Sequence, residues 1–298
     1  MTQLALVLVL IAAALHATWN YWAKRAGGGL PFVYLVGILI CTGYVPIVVV
    51  YCHFNYTAWS WTAAGAIVVS GVLKTSYSLF LQRGYRNGDF SLIYPLARGT
   101  GPLLSATGAM LLFGERPSAV ALAGALAIVV AIFWVAGGHR WLSQWRRPQT
   151  LEAGTKPAAK LAVFYGVTTG VFIAAYTLWD KRGVGHLLIA PVLYDAGTAC
   201  TQLVLLSPLA WKRRDEVKRE WRAHRLNALI MATTSPLGYV LILTAMKFTA
   251  VSYVAPAREV SILIGLFFGA RFLNEREARN RVWAALVMLA GLAALALG

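Results

Sequence analysis

Charge is scarce in this chain of 298 residues. Only 13% of it is Asp, Glu, Lys or Arg, against 59% hydrophobic residues. A soluble domain carries about 25% charged residues, so a soluble enzyme or a nucleic-acid-binding domain is excluded as the bulk of the chain. Acidic residues are rarer still, 11 against 27 basic ones. The three cysteines, Cys41, Cys52 and Cys200, lack metal-ligand spacing and read as small packing residues. No HExxH, GxSxG or GxxxxGK[ST] occurs, and the five histidines are scattered. Metalloprotease, serine hydrolase and ATP-driven chemistries therefore have no visible machinery, and no cofactor is expected. The chain reads as a non-enzyme, with a membrane-embedded enzyme as the competing class.

Long apolar runs are plentiful. A helix crossing a bilayer needs about 20 apolar residues. Ten runs qualify, at 3–23, 31–52, 60–82, 90–113, 118–138, 160–180, 188–211, 226–246, 251–273 and 281–297. Only helices satisfy their own backbone groups in lipid. The expected fold is an all-α integral membrane protein of ten transmembrane helices. Met1-Thr2-Gln3 supplies no basic lead, so the first run is expected to be retained rather than cleaved as a signal peptide.

The net charge of +16 is unevenly placed. On the ten-span topology, twenty basic residues fall in or at the edges of one set of loops and four in the other. The remaining three, Lys74, Arg98 and Arg258, lie inside spans. Basic loops stay in the cytoplasm, so both termini are expected outside a bacterial inner membrane. The basic run 212–225 is then a topology signal beside acidic lipid rather than a nucleic-acid site. It is amphipathic enough for a short interfacial helix, with Trp211 and Trp221 at headgroup level.

The chain also repeats itself. YPLARGTGPLLSATGAMLLFGER (94–116) aligns without a gap on VAPAREVSILIGLFFGARFLNER (254–276). Ala97-Arg98 falls on Ala257-Arg258, and Glu115-Arg116 on Glu275-Arg276, both at an offset of 160. Trp22-Ala23-Lys24-Arg25 falls on Trp179-Asp180-Lys181-Arg182 at 157. The expected organisation is a first five-helix repeat over 1–138, a basic linker over 139–159 and a second repeat over 160–298. Five spans per repeat invert the second relative to the first, the arrangement from which many secondary transporters build two alternating gates.

These stretches, with LHATWNYWAKR in the first span and Gly291 in the last, resemble the drug/metabolite transporter superfamily in its ten-helix EamA-type branch. The second copy departs from the pattern, with Asn274 where the first has Gly114. The resemblance implies a carrier that exports amino acids, drugs or other small metabolites, or exchanges phosphorylated compounds.

A charge in hydrocarbon costs at least about 2.5–3.5 kcal/mol. It persists when it pairs or lines a wet cavity. Tyr94, Arg98, Gly101, Ser105 and Gly108 share one helical face, as do Arg258, Ser261, Gly265 and Gly269. Each stripe is open to two readings, a cavity wall or a close helix-packing seam. Lys74 lies too deep to snorkel, with Asp195 and Glu259 as candidate partners. Asp195, Glu259 and His16 are candidate proton carriers; the two carboxylates are equally open to a structural role, and a lone histidine such as His16 more often packs. Glu259 adjoins Arg258, about 100° round the helix, so the two are not expected to face one partner squarely. Pro236 and Gly238 in TTSPLGY suggest a broken eighth helix. Glu115 and Glu275 belong at the membrane edge as helix caps.

Three cations against Asp195 and Glu259 leave one surplus positive charge in the spans. That favours a carboxylate or phosphoryl group, with Tyr77, Tyr94, Trp19, Tyr239 and Tyr253 available to stack on the rest of the molecule. The expected partners are a small-molecule substrate, membrane lipid and a coupling proton, with no nucleic acid. A small metabolite such as an amino acid is the expected cargo, and a cationic or amphiphilic drug-like compound the alternative. The sequence leaves monomer and homodimer equally open.

Overall fold

The computed structural model describes residues 1–26, 29–55, 60–87, 90–135, 155–264 and 278–298. No strand occurs among the described residues. Ten helices are described. They are α1 (Gln3–Arg25), α2 (Leu30–Phe54), α3 (Trp61–Asn87), α4 (Phe90–Phe113), α5 (Ala119–Val135), α6 (Thr155–Lys181), α7 (Pro191–Trp211), α8 (Arg214–Phe248), α9 (Val251–Arg258) and α10 (Ala278–Leu297). Each falls on one of the ten apolar runs. Gln3–Ala23, Leu30–Phe54, Trp61–Gly84 and Arg214–Phe248 are long and apolar enough to cross a membrane by length and composition. Exposed Leu, Val, Phe and Trp side chains such as Val49, Leu111, Val204 and Trp283 suit a lipid surround.

Several boundaries differ from expectation. α6 begins at Thr155, inside the expected linker; residues 139–154 of that linker lie outside the described residues, as do Gly265, Gly269 and Glu275. The ninth run is interrupted. α9 stops at Arg258, and Glu259–Val260 form a turn before residues 261–264 resume the helix. The eighth run is not broken at TTSPLGY, because α8 continues through Pro236. Its non-helical residue is His224, at φ −132°, ψ 26°. The basic run before His224 is helical, as amphipathicity suggested, and meets the apolar part at an angle there. Phe32 of α2 meets His224 edge-on, 6.4 Å between ring centres, within an apolar cluster of Leu35, Val36 and Ala228.

The chain forms two compact units. The first comprises residues 1–6, 76–178 and 249–298, and the second 7–75 and 179–248. Each unit draws on both sequence repeats. In the first, α5 lies against α10 so closely that a Cβ on Gly124 would sit 2.5 Å from the carbonyl oxygen of Gly291. α4 meets α6 in the same unit, where a Cβ on Gly101 would lie 2.7 Å from Ile173. Gly108 likewise backs onto Leu178. The small-residue stripe of α4 is thus a packing seam at these glycines. In the second unit, α3 and α7 cross through Gly71 against Thr201 and Gly197 against Ile67. That approach brings Lys74 of α3 level with Asp195 and Thr198 of α7.

Candidate functional site: two buried charge clusters

The second unit holds a cluster around Lys74. Its Nζ lies 3.2 Å from Asp180 Oδ2 and 4.0 Å from Asp195 Oδ1, and donates to Thr198 Oγ1 at 3.2 Å. Asp195 was an expected partner. Asp180 was not, although it is the last residue of the apolar run 160–180. It sits in the last turn of α6, wholly buried. It accepts hydrogen bonds from Ser70 Oγ (2.5 Å), Tyr194 OH (2.9 Å) and Tyr239 OH. Asp180 therefore joins α3, α6, α7 and α8 at one point. The signal available in the sequence was its place at the end of an apolar run, where burial and exposure look alike.

Local backbone geometry makes this possible. Residues Arg182–His186 form a wide π turn directly after α6, a feature often seen at functional sites. Gly183 in that turn lies flat against Tyr194, and a Cβ there would stand 2.8 Å from the ring's Cζ and closer still to its edge. Only a glycine lets the tyrosine reach Asp180. Lys181, the next residue along, donates to the Met246 carbonyl near the end of α8 at 2.6 Å. This contact matches the preference for cations at helix C-termini.

Asp195 has a lighter set of contacts. Tyr44 OH donates to its Oδ2 at 2.6 Å. Its side chain keeps 11% of its surface exposed, as does that of Lys74, whereas Asp180 keeps none. Tyr239 contributes twice, since its ring centre lies 4.2 Å from Lys74 Nζ while its hydroxyl serves Asp180. His16 and Trp19 of α1 pack edge-on at 4.8 Å. Asn20 donates to the His16 carbonyl at 2.7 Å. Gly238 allows the close approach of α1, a Cβ there meeting Leu15 at 3.4 Å.

The first unit holds the arginines. Arg98 Nη1 lies 3.2 Å from Glu259 Oε2, and Arg258 Nε 3.5 Å from Glu259 Oε1. Both arginines thus share one carboxylate. Arg258 and Glu259 were not expected to face one partner squarely; here they meet each other, beside the turn at 259–260. Tyr77 lies in the electrostatic reach of Arg98, Arg258 and Glu259, and packs edge-on against Tyr176 at 5.8 Å. Tyr253 is placed elsewhere in the unit, where its hydroxyl accepts from Ser118 N at 3.4 Å and donates to the Gly298 carbonyl at 3.3 Å. The backbone of Tyr94 lies in α4; its side chain is outside the described residues. Glu115 is a cap, but of a helix other than the expected one. Its two oxygens accept the amides of Val251 (2.8 Å) and Ser252 (2.9 Å), closing the start of α9 rather than of α5.

Asp180 also corrects the charge balance. Lys74, Arg98 and Arg258 face Asp180, Asp195 and Glu259, so the surplus positive charge inferred from sequence disappears. Taken singly, the Lys74 cluster has one cation and two carboxylates. The arginine cluster has two cations and one carboxylate.

Comparison with known proteins agrees with a carrier. The model of the EamA-like transporter family matches residues 160–297. Over that stretch the chain is similar to the EamA-like transporter family. That similarity suggests a membrane transporter of the drug/metabolite type. A solved crystal structure is similar over 98% of each chain, with a TM-score of 0.73 at 15% identity. At that identity the likeness is one of fold. No curated protein matches the chain.

Proposed function

We propose that the protein is a secondary active transporter that exports a small metabolite across a bacterial inner membrane by alternating access between its two inverted repeats. The cargo we propose is an amino acid or a related compound with both a carboxylate and an ammonium. The observation that carries this reading is the Lys74–Asp195 pair. It is an ion pair held open at 4.0 Å, each side chain largely buried but keeping 11% of its surface exposed. An open pair of opposite charges inside a bilayer is costly unless something polar visits it. A carboxylate can join the ammonium of Lys74, and an ammonium can join Asp195. The balanced intramembrane charge favours a zwitterion, within the carboxylate- or phosphoryl-bearing class that the sequence count suggested.

A second reading, export of a cationic or amphiphilic drug-like compound, is favoured by two features of the Lys74 cluster: its surplus carboxylate and the ring of Tyr239. Purified protein in liposomes tests both. Uptake of radiolabelled amino acids above empty liposomes, lost in Lys74→Gln and weakened in Arg98→Gln and Arg258→Gln, is the expected result. Uptake of quaternary amines alone would select the second reading. No uptake of amino acids, organic phosphates or amines would remove both.

A further inference from the structure

The two carboxylates around Lys74 are not equivalent. Asp180 is fully buried and accepts from three hydroxyls as well as from Lys74. Its anion is satisfied without help from water or ligand. Asp195 accepts one tyrosine hydroxyl, lies 4.0 Å from the ammonium and retains exposed surface. The position of Lys74 explains the difference. Asp180 of α6 holds the ammonium at 3.2 Å while Thr198, one turn beyond Asp195 on α7, accepts from it at 3.2 Å, so Asp195 at 4.0 Å is the more distant carboxylate. With both carboxylates ionised, the cluster carries one more negative than positive charge. In a medium of low dielectric, one further cation is needed to balance it.

We propose that Asp195 is the ammonium-accepting group of this site, and that Asp180 is a positioning residue that holds Lys74 away from it. The proposal rests on the transport reading and assigns chemistry to its open ion pair. The cation taken up is a primary or secondary ammonium, or a proton when no ammonium is present. Other charged or titratable groups face Asp195: Lys74 from α3, Asp180 from α6, and Tyr44 and Cys41 from α2. Of these, only Lys74 is a cation, and its nearest carboxylate is Asp180. Loss of the Asp180 charge releases Lys74 to close on Asp195, so Asp195 is lost as a site although it is itself unchanged.

A carbodiimide, which modifies carboxyl groups that take up a proton, tests this without a known substrate. Purified protein in detergent is treated with dicyclohexylcarbodiimide, and the modified residue is located by peptide mass spectrometry. Asp195 is expected to react and Asp180 not to. Methylammonium chloride is expected to slow the reaction several-fold, and tetramethylammonium chloride much less. In Asp180→Asn, labelling of Asp195 falls several-fold. In the double variant Lys74→Gln/Asp180→Asn it returns, which a purely structural role for Asp180 would not produce. Labelling of Asp180 in place of Asp195, labelling of neither, or no protection by methylammonium overturns the proposal. The wild-type arms decide the matter even if the variants do not fold. Failure of amino-acid uptake with this labelling pattern intact would overturn the cargo and leave the site.

Discussion

Gly183 shows how one residue governs a site it does not line. Its missing side chain gives Tyr194 the space to reach Asp180, and any Cβ must displace an aromatic ring packed among buried neighbours. Gly183→Ala is therefore expected to lower stability by about 1–3 kcal/mol, the usual range for overpacking. Gly185, two residues on in the same turn, faces only the flexible Lys181 chain at 3.5 Å. Gly185→Ala should be close to neutral. Thermal unfolding of both variants in detergent checks the contrast, and equal losses would mean that the turn, rather than the tyrosine, sets the cost. Lys74, Arg98 and Arg258 could be singled out from sequence because ionisable residues inside apolar runs are conspicuous. Asp180 could not, because at the end of a run a carboxylate exposed to water and one buried among tyrosines have the same sequence.

Helix ends in this protein are tied to one another across the fold. Glu115 closes the first turn of α9, which has no side-chain cap of its own. A carboxylate on two orphan amides is a charge-assisted cap. Glu115→Ala is expected to cost about 0.5–2 kcal/mol, in the range of lost caps, and Glu115→Gln less, since an amide oxygen still accepts. Faster hydrogen exchange at Val251 and Ser252 in Glu115→Ala is the specific readout; unchanged exchange would show that α9 does not depend on this cap. The contact of α5 with α10 gives a companion test. Gly124→Ala and Gly291→Ala each drive a Cβ to within 2.5 and 2.7 Å of the facing glycine's carbonyl oxygen. Backbone yields less than a side chain, so each should lower the unfolding midpoint, by about 1–3 kcal/mol in stability.

At the scale of the whole molecule, topology is the property most open to test. Twenty basic residues in or at the edges of one set of loops against four in the other lead us to expect both termini outside. A periplasm-active reporter fused after Gly298 should be active, and one fused in the loop between α7 and α8 inactive. The reverse pattern would mean that the loop charges do not set the orientation. The proposed repeat predicts that 1–138 and 160–298 are related by a two-fold axis in the membrane plane. Cysteine accessibility at matched positions in the two repeats, from opposite sides of the membrane, would support it. Labelling of both from the same side would remove it.

Composition and periodicity alone determined the class, the ten helices and the residues that cannot sit in lipid without a reason. They did so because a bilayer imposes a strict rule on every apolar run: its length, its backbone satisfaction and its charge content are all constrained locally. The paired Ala-Arg and Glu-Arg motifs were legible for the same reason, as fixed offsets in one dimension. Partner choice was not legible. Whether Arg98 meets Glu259, whether Lys74 turns to Asp180 or Asp195, and which amides Glu115 caps each depend on where distant helices cross. The crossing that brings Lys74 to Asp195 runs through Gly71 and Gly197, against side chains far away in the chain. Only the tertiary structure decides such pairings, because residues distant in sequence must be brought together by packing, as Arg98 and Glu259 are.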